Sequence, residues 1–239
     1  MGQEITFRSD VTVELIKHSA GDADVIWAAR VSTKGEQSHE DLGADPKQSE
    51  GLINYLMRDR HGSPFEHSIF TFFVQAPIFM WREHFRHRIA SYNEESGRYK
   101  QLEPVFYVPN EDRKLIQVGK AGHYEFVDGT QEQFDTVTNA TKESCEVAYE
   151  QYEKMLESGV AREVARIVLP VTIYSSAYVT MNARALMNFL SLRRKVEGSH
   201  FPSFPQREIE MVAEKYEEIF KQLMPLTHAA FVANGRVAP

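Results

Sequence analysis

Residues 77–100 have the sequence PIFMWREHFRHRIASYNEESGRYK, and this stretch organises the chain. Its proline predicts the start of a short helix with an apolar face, which ends in the cations Arg86, His87 and Arg88. The polar residues that follow predict a loop rich in hydroxyl, amide and carboxylate groups. Because fixed positive charge stands beside so many hydrogen-bonding groups, the stretch predicts an anion-binding site.

The flanking segments alternate between strand-like and helix-like patterns. Strands are predicted where apolar residues alternate or run together, at 11–17, 69–74 (an interior strand) and 171–182. Helices are predicted at 22–32 with Asp22 as N-cap, from Pro46 to Gly62, and at 130–158, 160–169, 182–194 and 205–223. Residues 104–130 and 195–205 are predicted loops, with a short strand possible at 105–108.

This order of elements predicts an α+β fold. We expect a single domain over residues 1–239, in which a mixed or antiparallel sheet forms the core and long amphipathic helices flank it. The residues after Pro225 are expected to form a flexible tail at 225–239.

Composition excludes several classes of protein. The net charge of −7 argues against a nucleic-acid polymer as the ligand, so any phosphate must be bound by a local cluster. The single cysteine, Cys145, excludes a disulfide framework, and its position on the apolar stripe of the helix at 130–158 predicts a core residue. An apolar run long enough for a membrane span is not found, and a cytoplasmic location is expected.

Common catalytic motifs are also missing. The sequence contains no GxGxxG after a predicted strand, no GxxxxGK[ST], no HExxH and no GxSxG, which argues against Rossmann, P-loop and α/β-hydrolase sites. His84 and His87 are three residues apart, but the neighbouring arginines would repel a dication. We therefore expect no metal site.

The cations Arg86, His87 and Arg88 admit two interpretations. They can simply complement the dipole at the end of a helix, which contributes only a few tenths of a kcal/mol. Consecutive helical residues are rotated by about 100° from one another, however, so the three side chains must point in different directions. This arrangement favours contact with several groups of one or two ligands.

Four blocks of the sequence, taken together, resemble one enzyme family. RHRIASYNEESGRY (86–99) is similar to the signature of flavin-dependent thymidylate synthases. HGSPFEH (61–67), AREVARIVLP (161–170) and NARALMNFLSLR (182–193) resemble further blocks of that family in the same order. The resemblance extends from the first predicted strand to about Arg193.

The resemblance implies a reaction, a cofactor and a set of site residues. Such enzymes methylate dUMP to dTMP with methylenetetrahydrofolate as carbon donor and NADPH-reduced FAD as hydride source. It implies that FAD contacts Ser63, Arg86, His87, Arg88, Glu94, Asn182, Arg184 and Asn188. It implies that dUMP contacts Glu83, Arg86, Glu95, Ser96, Gly97, Arg98, Arg166 and Arg193. Arg193 would be the catalytic residue, and the enzyme would be a homotetramer with shared active sites.

The residues themselves agree with a flavin mechanism. Classical thymidylate synthases attack uracil with a cysteine thiolate, whereas Cys145 is predicted to lie in the core. Arg193 is a permanent cation suited to stabilising negative charge on a uracil carbonyl. For Ser96 we favour substrate binding over nucleophilic attack.

The chain departs from the family pattern at two places. Glu83 stands where a glutamine is common, and the loop 194–205 is longer than usual, with Arg194 and Lys195 where an acidic residue often follows the catalytic arginine. Two alternatives therefore stay open. One is an FAD- or nucleotide-binding homologue with lost or altered synthase activity, and the other is a nucleic-acid-binding module.

Overall fold

The structure is a computed structural model that describes residues 4–35, 46–120 and 123–239. The strands are β1 (Thr6–Arg8), β2 (Thr12–Ser19), β3 (Ile69–Pro77), β4 (Ser91–Glu94), β5 (Val105–Tyr107), β6 (Ile116–Lys120), β7 (His123–Val127) and β8 (Tyr174–Asn182). The helices are α1 (Asp22–Lys34), α2 (Pro46–Arg58), α3 (Ile78–His84), α4 (Gln131–Glu157), α5 (Arg162–Ala165), α6 (Ala183–Arg193), α7 (Arg207–Leu223) and α8 (Pro225–Ala233).

The described residues form two compact units that are interleaved in the sequence. Unit 1 takes its residues from 1–12, 75–85 and 94–177, and unit 2 from 13–74, 86–93 and 178–239. The parallel pair β1–β5 and the antiparallel pair β6–β7 occur alongside the helices, so the predicted α+β class with mixed strand pairing is confirmed. The expectation of one domain over 1–239 stays a prediction.

Unit 1 is built on the long helix α4. Thr130 and Gln133 form a reciprocal capping box at its start, as expected for the helix predicted from residue 130. Its buried face presents Cys145, Tyr149 and Tyr152 to Phe106 of β5. Because these side chains are almost fully buried, the helix is held chiefly by apolar packing.

The predicted loop at 104–130 is only partly a loop. Residues Val105–Tyr107 form β5, as was considered possible, but Ile116–Lys120 and His123–Val127 form an antiparallel hairpin that the prediction missed. Most residues of β6 are exposed. The burial of alternate residues, by which a half-buried strand is recognised, is therefore missing. The predicted helix at 160–169 is likewise shorter: α5 ends at Ala165 and a 3₁₀ turn, Arg166–Val168, follows.

Unit 2 contains most of a sheet with the strand order β2-β3-β8-β4. Strand β3 is interior, as its doubly apolar pattern predicted. Aromatic rings of β3, α6 and α7 pack together. The ring centroids of Phe72 and Tyr216 lie 4.3 Å apart, and those of Tyr216 and Phe189 lie 5.4 Å apart. Residues 91–94 are strand β4, which corrects the prediction of a loop there. A strand of four residues carrying mostly polar side chains has too little apolar pattern to be recognised.

The segment after Pro225 is a packed helix, which corrects the predicted flexible tail. Phe231 of α8 is fully buried. The carboxylate of Asp22 accepts hydrogen bonds from the backbone N–H of Leu226 and of Thr227, at 2.8 and 2.9 Å. Asp22 thus stabilises the first turn of α8, whereas the N-cap of α1 is Gly21. None of the described helices is long and apolar enough to cross a membrane.

Candidate functional site

The cations of the signature lie beyond the helix that precedes them. Helix α3 ends at His84. Arg86 lies in the turn that follows, and His87 and Arg88 lie in the irregular segment before β4. The prediction that the helix ends in these cations is therefore wrong by about one turn. Because the three residues lie outside the helix, the helical rotation of about 100° per residue does not set the directions of their side chains. Arg86 and Arg88 are exposed, and His87 is half-buried.

Unit 2 carries a cleft of about 370 Å³ at this segment. Its lining combines guanidinium groups with apolar surface from β8 and α6. The lining residues are Arg86, His87, Arg88, Ile89, Ala90, Met181, Ala185 and Asn188. Four of these, Arg86, His87, Arg88 and Asn188, were predicted as cofactor contacts. The apolar lining residues were not predicted, because nothing in the sequence distinguishes a single apolar residue of a binding site from one of the core.

The most informative contact in unit 2 joins His87 to Arg193. Nε of Arg193 donates a hydrogen bond to Nε2 of His87 over 2.9 Å. A guanidinium group can only donate, so Nε2 must carry the lone pair and the ring proton must be on Nδ1. Burial, and then the positive charge of Arg193, lower the pKa of His87 from 6.5 to about 4. The imidazole is therefore neutral near pH 7, as the contact requires.

Helix α6 explains why Arg193 reaches His87. Phe189 and Arg193 are four residues apart and share one face of the helix. Phe189 is fully buried, and the centroid of its ring lies 4.6 Å from the centroid of the His87 imidazole. One helical face thus supplies both an apolar contact and a hydrogen bond to the same side chain.

Three predicted cofactor residues of unit 2 are not among the residues described as lining its cleft. Asn182 is the N-cap of α6, where its side-chain oxygen accepts from the N–H of Ala185 at 2.8 Å. Arg184 donates at 2.6 Å to Glu66 and at 2.6 Å to the carbonyl of Pro239. Ser63 is exposed in a 3₁₀ turn. Their proposed contacts with FAD stay predictions.

Unit 1 carries a larger cleft of about 540 Å³. It brings together residues from α3, from the segment 94–102 and from the 3₁₀ turn that follows α5. The lining residues are Ile78, Trp81, Arg82, Phe85, Glu94, Glu95, Ser96, Gly97, Leu102, Arg166 and Ser175. Glu94, predicted to contact FAD, therefore lies in the same cleft as the predicted dUMP residues Glu95, Ser96, Gly97 and Arg166.

The carboxylates of this cleft are held by hydrogen bonds. Glu94 accepts from the hydroxyl of Ser175 at 2.5 Å. Glu95 accepts from the backbone N–H of Ser176 at 2.9 Å and forms an ion pair with Lys100 at 2.7 Å. Groups of unit 1 thus hold both carboxylates in orientation.

Gly97 lies in close contact with two side chains of the cleft. A Cβ at this position would lie 2.9 Å from Leu102 Cδ1 and 3.3 Å from Arg166 Cδ. The half-buried Arg166 therefore passes directly over the glycine backbone. Arg166 and Ser96 both line this cleft.

Two further predicted substrate residues of unit 1 are not among the described lining residues of the cleft. Arg98 is exposed and forms an ion pair with Glu163 at 3.0 Å. Glu83 lies in α3. The cleft is also lined by Arg82 and Ser175, which were not predicted. Arg82 could have been predicted because it lies close to the signature in the sequence, whereas nothing in the sequence marks Ser175 as a site residue.

Cys145 has the environment of a core residue, as predicted. It is 1% exposed, and its Sγ lies 3.3 Å from the hydroxyl of Thr172. Burial raises the pKa of its thiol, which disfavours the thiolate.

Comparison with known proteins points to one family. A family model described as thymidylate synthase complementing protein (Thy1) matches residues 14–226. A flavin-dependent thymidylate synthase of Streptomyces avermitilis is 65% identical over 235 residues, which cover 98% of this chain and 96% of the relative. A flavin-dependent thymidylate synthase of Tropheryma whipplei is 56% identical over 240 residues, covering 98% of this chain and 97% of the relative.

Solved structures agree with this. The UMP/dUMP methylase PolB from Streptomyces cacaoi, in a crystal structure bound with 5-Br dUMP, matches with a TM-score of 0.93 and 53% identity, over 98% of this chain and 100% of that chain. The same methylase bound with 5-Br UMP matches with a TM-score of 0.90 and 52% identity, over 99% of this chain and 100% of that chain.

Proposed function

The chain belongs to the thymidylate synthase complementing protein family, and from this premise we propose that it methylates dUMP to dTMP as a flavin-dependent thymidylate synthase. The carbon donor is methylenetetrahydrofolate, and the hydride comes from FAD reduced by NADPH. The observation that carries the proposal is the neutral His87 bound to Arg193 beside the cleft of unit 2. An oriented permanent cation is what a uracil carbonyl requires as negative charge develops on it.

We propose that dUMP binds with its phosphate at the cleft of unit 1. Arg166 offers a guanidinium group that grips phosphate bidentately, and Ser96 adds a hydroxyl. The ordered carboxylates of Glu94 and Glu95 can accept hydrogen bonds from a sugar hydroxyl or a base N–H. The full proposed set of dUMP contacts is Glu83, Arg86, Glu95, Ser96, Gly97, Arg98, Arg166 and Arg193.

The residues at the cleft of unit 2 fit an FAD cofactor. Exposed Arg86 and Arg88 suit its phosphates, while Ile89 and Met181 offer apolar surface for a flat ring system. The full proposed set of FAD contacts is Ser63, Arg86, His87, Arg88, Glu94, Asn182, Arg184 and Asn188. When bound, FAD supplies the hydride that reduces the transferred one-carbon group to a methyl group.

Within this scheme the chain binds, orients and polarises. Arg193 stabilises negative charge on a uracil carbonyl, so that C5 of the ring becomes nucleophilic and attacks the one-carbon group. The bond between that group and the folate nitrogen then breaks, and its electron pair stays on the nitrogen. The neutral His87 holds the guanidinium without adding a second charge. The buried thiol of Cys145 takes no part. Since C5 must lose its proton when the new carbon–carbon bond is complete, release of that proton reports turnover.

Assembly and location extend the proposal. We infer a homotetramer with active sites shared between subunits, in a cytoplasmic location. Sedimentation at micromolar concentration tests the assembly: a species of four subunits is expected, and a monomer that is fully active contradicts it.

UMP is a second candidate substrate. The observation in its favour is that PolB, 52% identical to this chain, is described as a UMP/dUMP methylase and was solved with 5-Br UMP. A third alternative is a homologue that binds FAD and nucleotide without turnover. One assay distinguishes it from a methylase acting on dUMP or on UMP.

The assay is tritium release from 5-tritiated dUMP, and separately from 5-tritiated UMP, with FAD, NADPH and methylenetetrahydrofolate. Release from dUMP supports the proposed function, and a flavin-bound protein that releases none contradicts it. Arg193→Ala should lower release by about 100-fold or more with flavin still bound. Arg58→Ala is the matched control, because the described contacts of this exposed arginine of unit 2 are with its near neighbours Asp59 and Tyr55. Equal activity of the Arg193 variant and the control would remove Arg193 from its role.

A further inference from the structure

Tyr92 holds the backbone of the residue that contacts Arg193. Its hydroxyl donates a hydrogen bond to the carbonyl of His87 over 2.9 Å, from strand β4 back across five residues. Burial raises the pKa of Tyr92 to about 12, so the phenol keeps its proton and stays a donor throughout the neutral pH range. Tyr92 lies within the block 86–99, but the resemblance assigns it no ligand contact, and it is not among the described residues that line the cleft.

His87 needs such support because it lies outside helix and strand. The ladder bonds that fix φ and ψ in regular elements are therefore not what determines its position. Described contacts within unit 2 help to hold it: Tyr92 binds its carbonyl, the Phe189 ring centroid lies 4.6 Å from its own, and Arg193 binds its Nε2. The contact at the carbonyl is the one that restrains the backbone from which the imidazole extends.

We propose that Tyr92 is a positioning residue for the reaction: its hydroxyl holds the His87 carbonyl, and thereby the imidazole that orients the Arg193 guanidinium. The inference rests on the proposed function, in which Arg193 is the catalytic residue. Catalysis by a fixed cation depends steeply on its position, because a misplacement of about 1 Å can cost about 100-fold in rate. Deleting one hydroxyl that belongs to neither proposed set of ligand contacts should therefore lower kcat.

The experiment deletes that hydroxyl with Tyr92→Phe and measures kcat and KM for dUMP by tritium release with saturating FAD. We expect kcat to fall about tenfold, with KM for dUMP changed by less than about twofold. The control is Tyr174→Phe, which deletes an equivalent phenol-to-carbonyl bond, from Tyr174 to Asp10 at 2.6 Å, in unit 1. The control should lose thermal stability while kcat stays within about twofold. A kcat for Tyr92→Phe that equals the control's overturns the proposal.

A double-mutant cycle separates positioning from general stabilisation. If Tyr92 acts through His87, Tyr92→Phe should cost less than about twofold in kcat when His87 is already alanine. An undiminished tenfold cost in that background overturns the proposal, because Tyr92 would then act by another route.

A spectroscopic measurement keeps the test independent of turnover. In the unchanged flavin-bound protein, ¹⁵N spectra of the imidazoles, assigned by comparison with His87→Ala, should show His87 protonated at Nδ1 and unprotonated at Nε2. Tyr92→Phe should shift the Nε2 resonance of His87, and Tyr174→Phe should not. Identical His87 resonances in the unchanged protein and Tyr92→Phe overturn the inference, whereas absence of tritium release from the unchanged protein overturns the proposed function alone.

Discussion

Glu217 offers a sharp test of the electrostatics of unit 2. This carboxylate of α7 accepts from both terminal nitrogens of Arg236, at 2.6 and 3.0 Å, and lies 2.9 Å from Nε2 of His228. The side chains of Glu217 and Arg236 are 15% and 5% exposed. Replacing Glu217 with glutamine keeps the shape of the side chain but leaves the guanidinium charge of Arg236 buried without its counter-charge.

Two estimates of the loss in the free energy of unfolding agree. Burial raises the pKa of Glu217, but hydrogen bonds from His228 and Arg236 outweigh burial and bring it from 4.5 down to about 2. At 1.36 kcal/mol for each pKa unit, this corresponds to about 3 kcal/mol of stability at neutral pH. Breaking a buried ion pair from one side typically costs about 3–5 kcal/mol. Glu217→Gln should therefore lower the free energy of unfolding by about 3 kcal/mol, or Tm by about 6–12 °C.

The assay is urea unfolding followed by circular dichroism, at pH values from 7 down to 2. Because the folded-state pKa lies below the unfolded value, the advantage of the unchanged protein is complete above about pH 4.5 and disappears as pH falls toward 2. The control, Glu150→Gln, removes an exposed pair with Lys154 and should cost about 0.5 kcal/mol or less. A loss at pH 7 that is no larger than the control's, or a difference that does not shrink in acid, would refute the reasoning.

Three further outcomes are expected. Cys145→Ala should keep kcat within about twofold and lose roughly 1 kcal/mol of stability, and inactivation by iodoacetamide at Cys145 would contradict its place in the core. Stability should decline as pH falls from about 6.5 to 4, because the unfolded chain binds a proton at His87 that the folded chain excludes; a pH profile unchanged by His87→Gln would argue otherwise. Gly62→Ala should cost less than about 1 kcal/mol in urea unfolding, because its Cβ would lie 2.5 Å from the Arg184 guanidinium and displace only an exposed ion pair with Glu66; a loss of about 2 kcal/mol or more would show that Arg184 cannot move aside.

Local signals were sufficient where a structure depends on nearby residues. The helix predicted from Thr130 begins with the capping box that Thr130 and Gln133 encode, since that motif closes within one turn. Burial of Cys145 followed from its helical spacing. The interior position of β3 followed in the same way from apolar residues on both faces.

Predictions failed where the partner of a residue is distant in the sequence. Asp22 has the chemistry of an N-cap, and its actual partners are the N–H groups of Leu226 and Thr227, about two hundred positions later. Helix α8 was expected to be a flexible tail for the same reason, because its apolar residues find their contacts only in the folded unit. Short polar strands such as β4 escape detection because pairing, not composition, defines them.

The family and the types of residue that carry the chemistry could be recognised from the amino-acid sequence alone. Arg86, His87, Arg88 and Arg193 could be singled out because charge, spacing and motif are local properties of a chain. The contacts that these residues make with one another are defined by the folded structure. The contact of Arg193 with His87 joins residues 106 positions apart, and the neutral state of that imidazole results from its burial and from the charge beside it. Distance and desolvation exist only after folding, and both of them set the chemistry of the site.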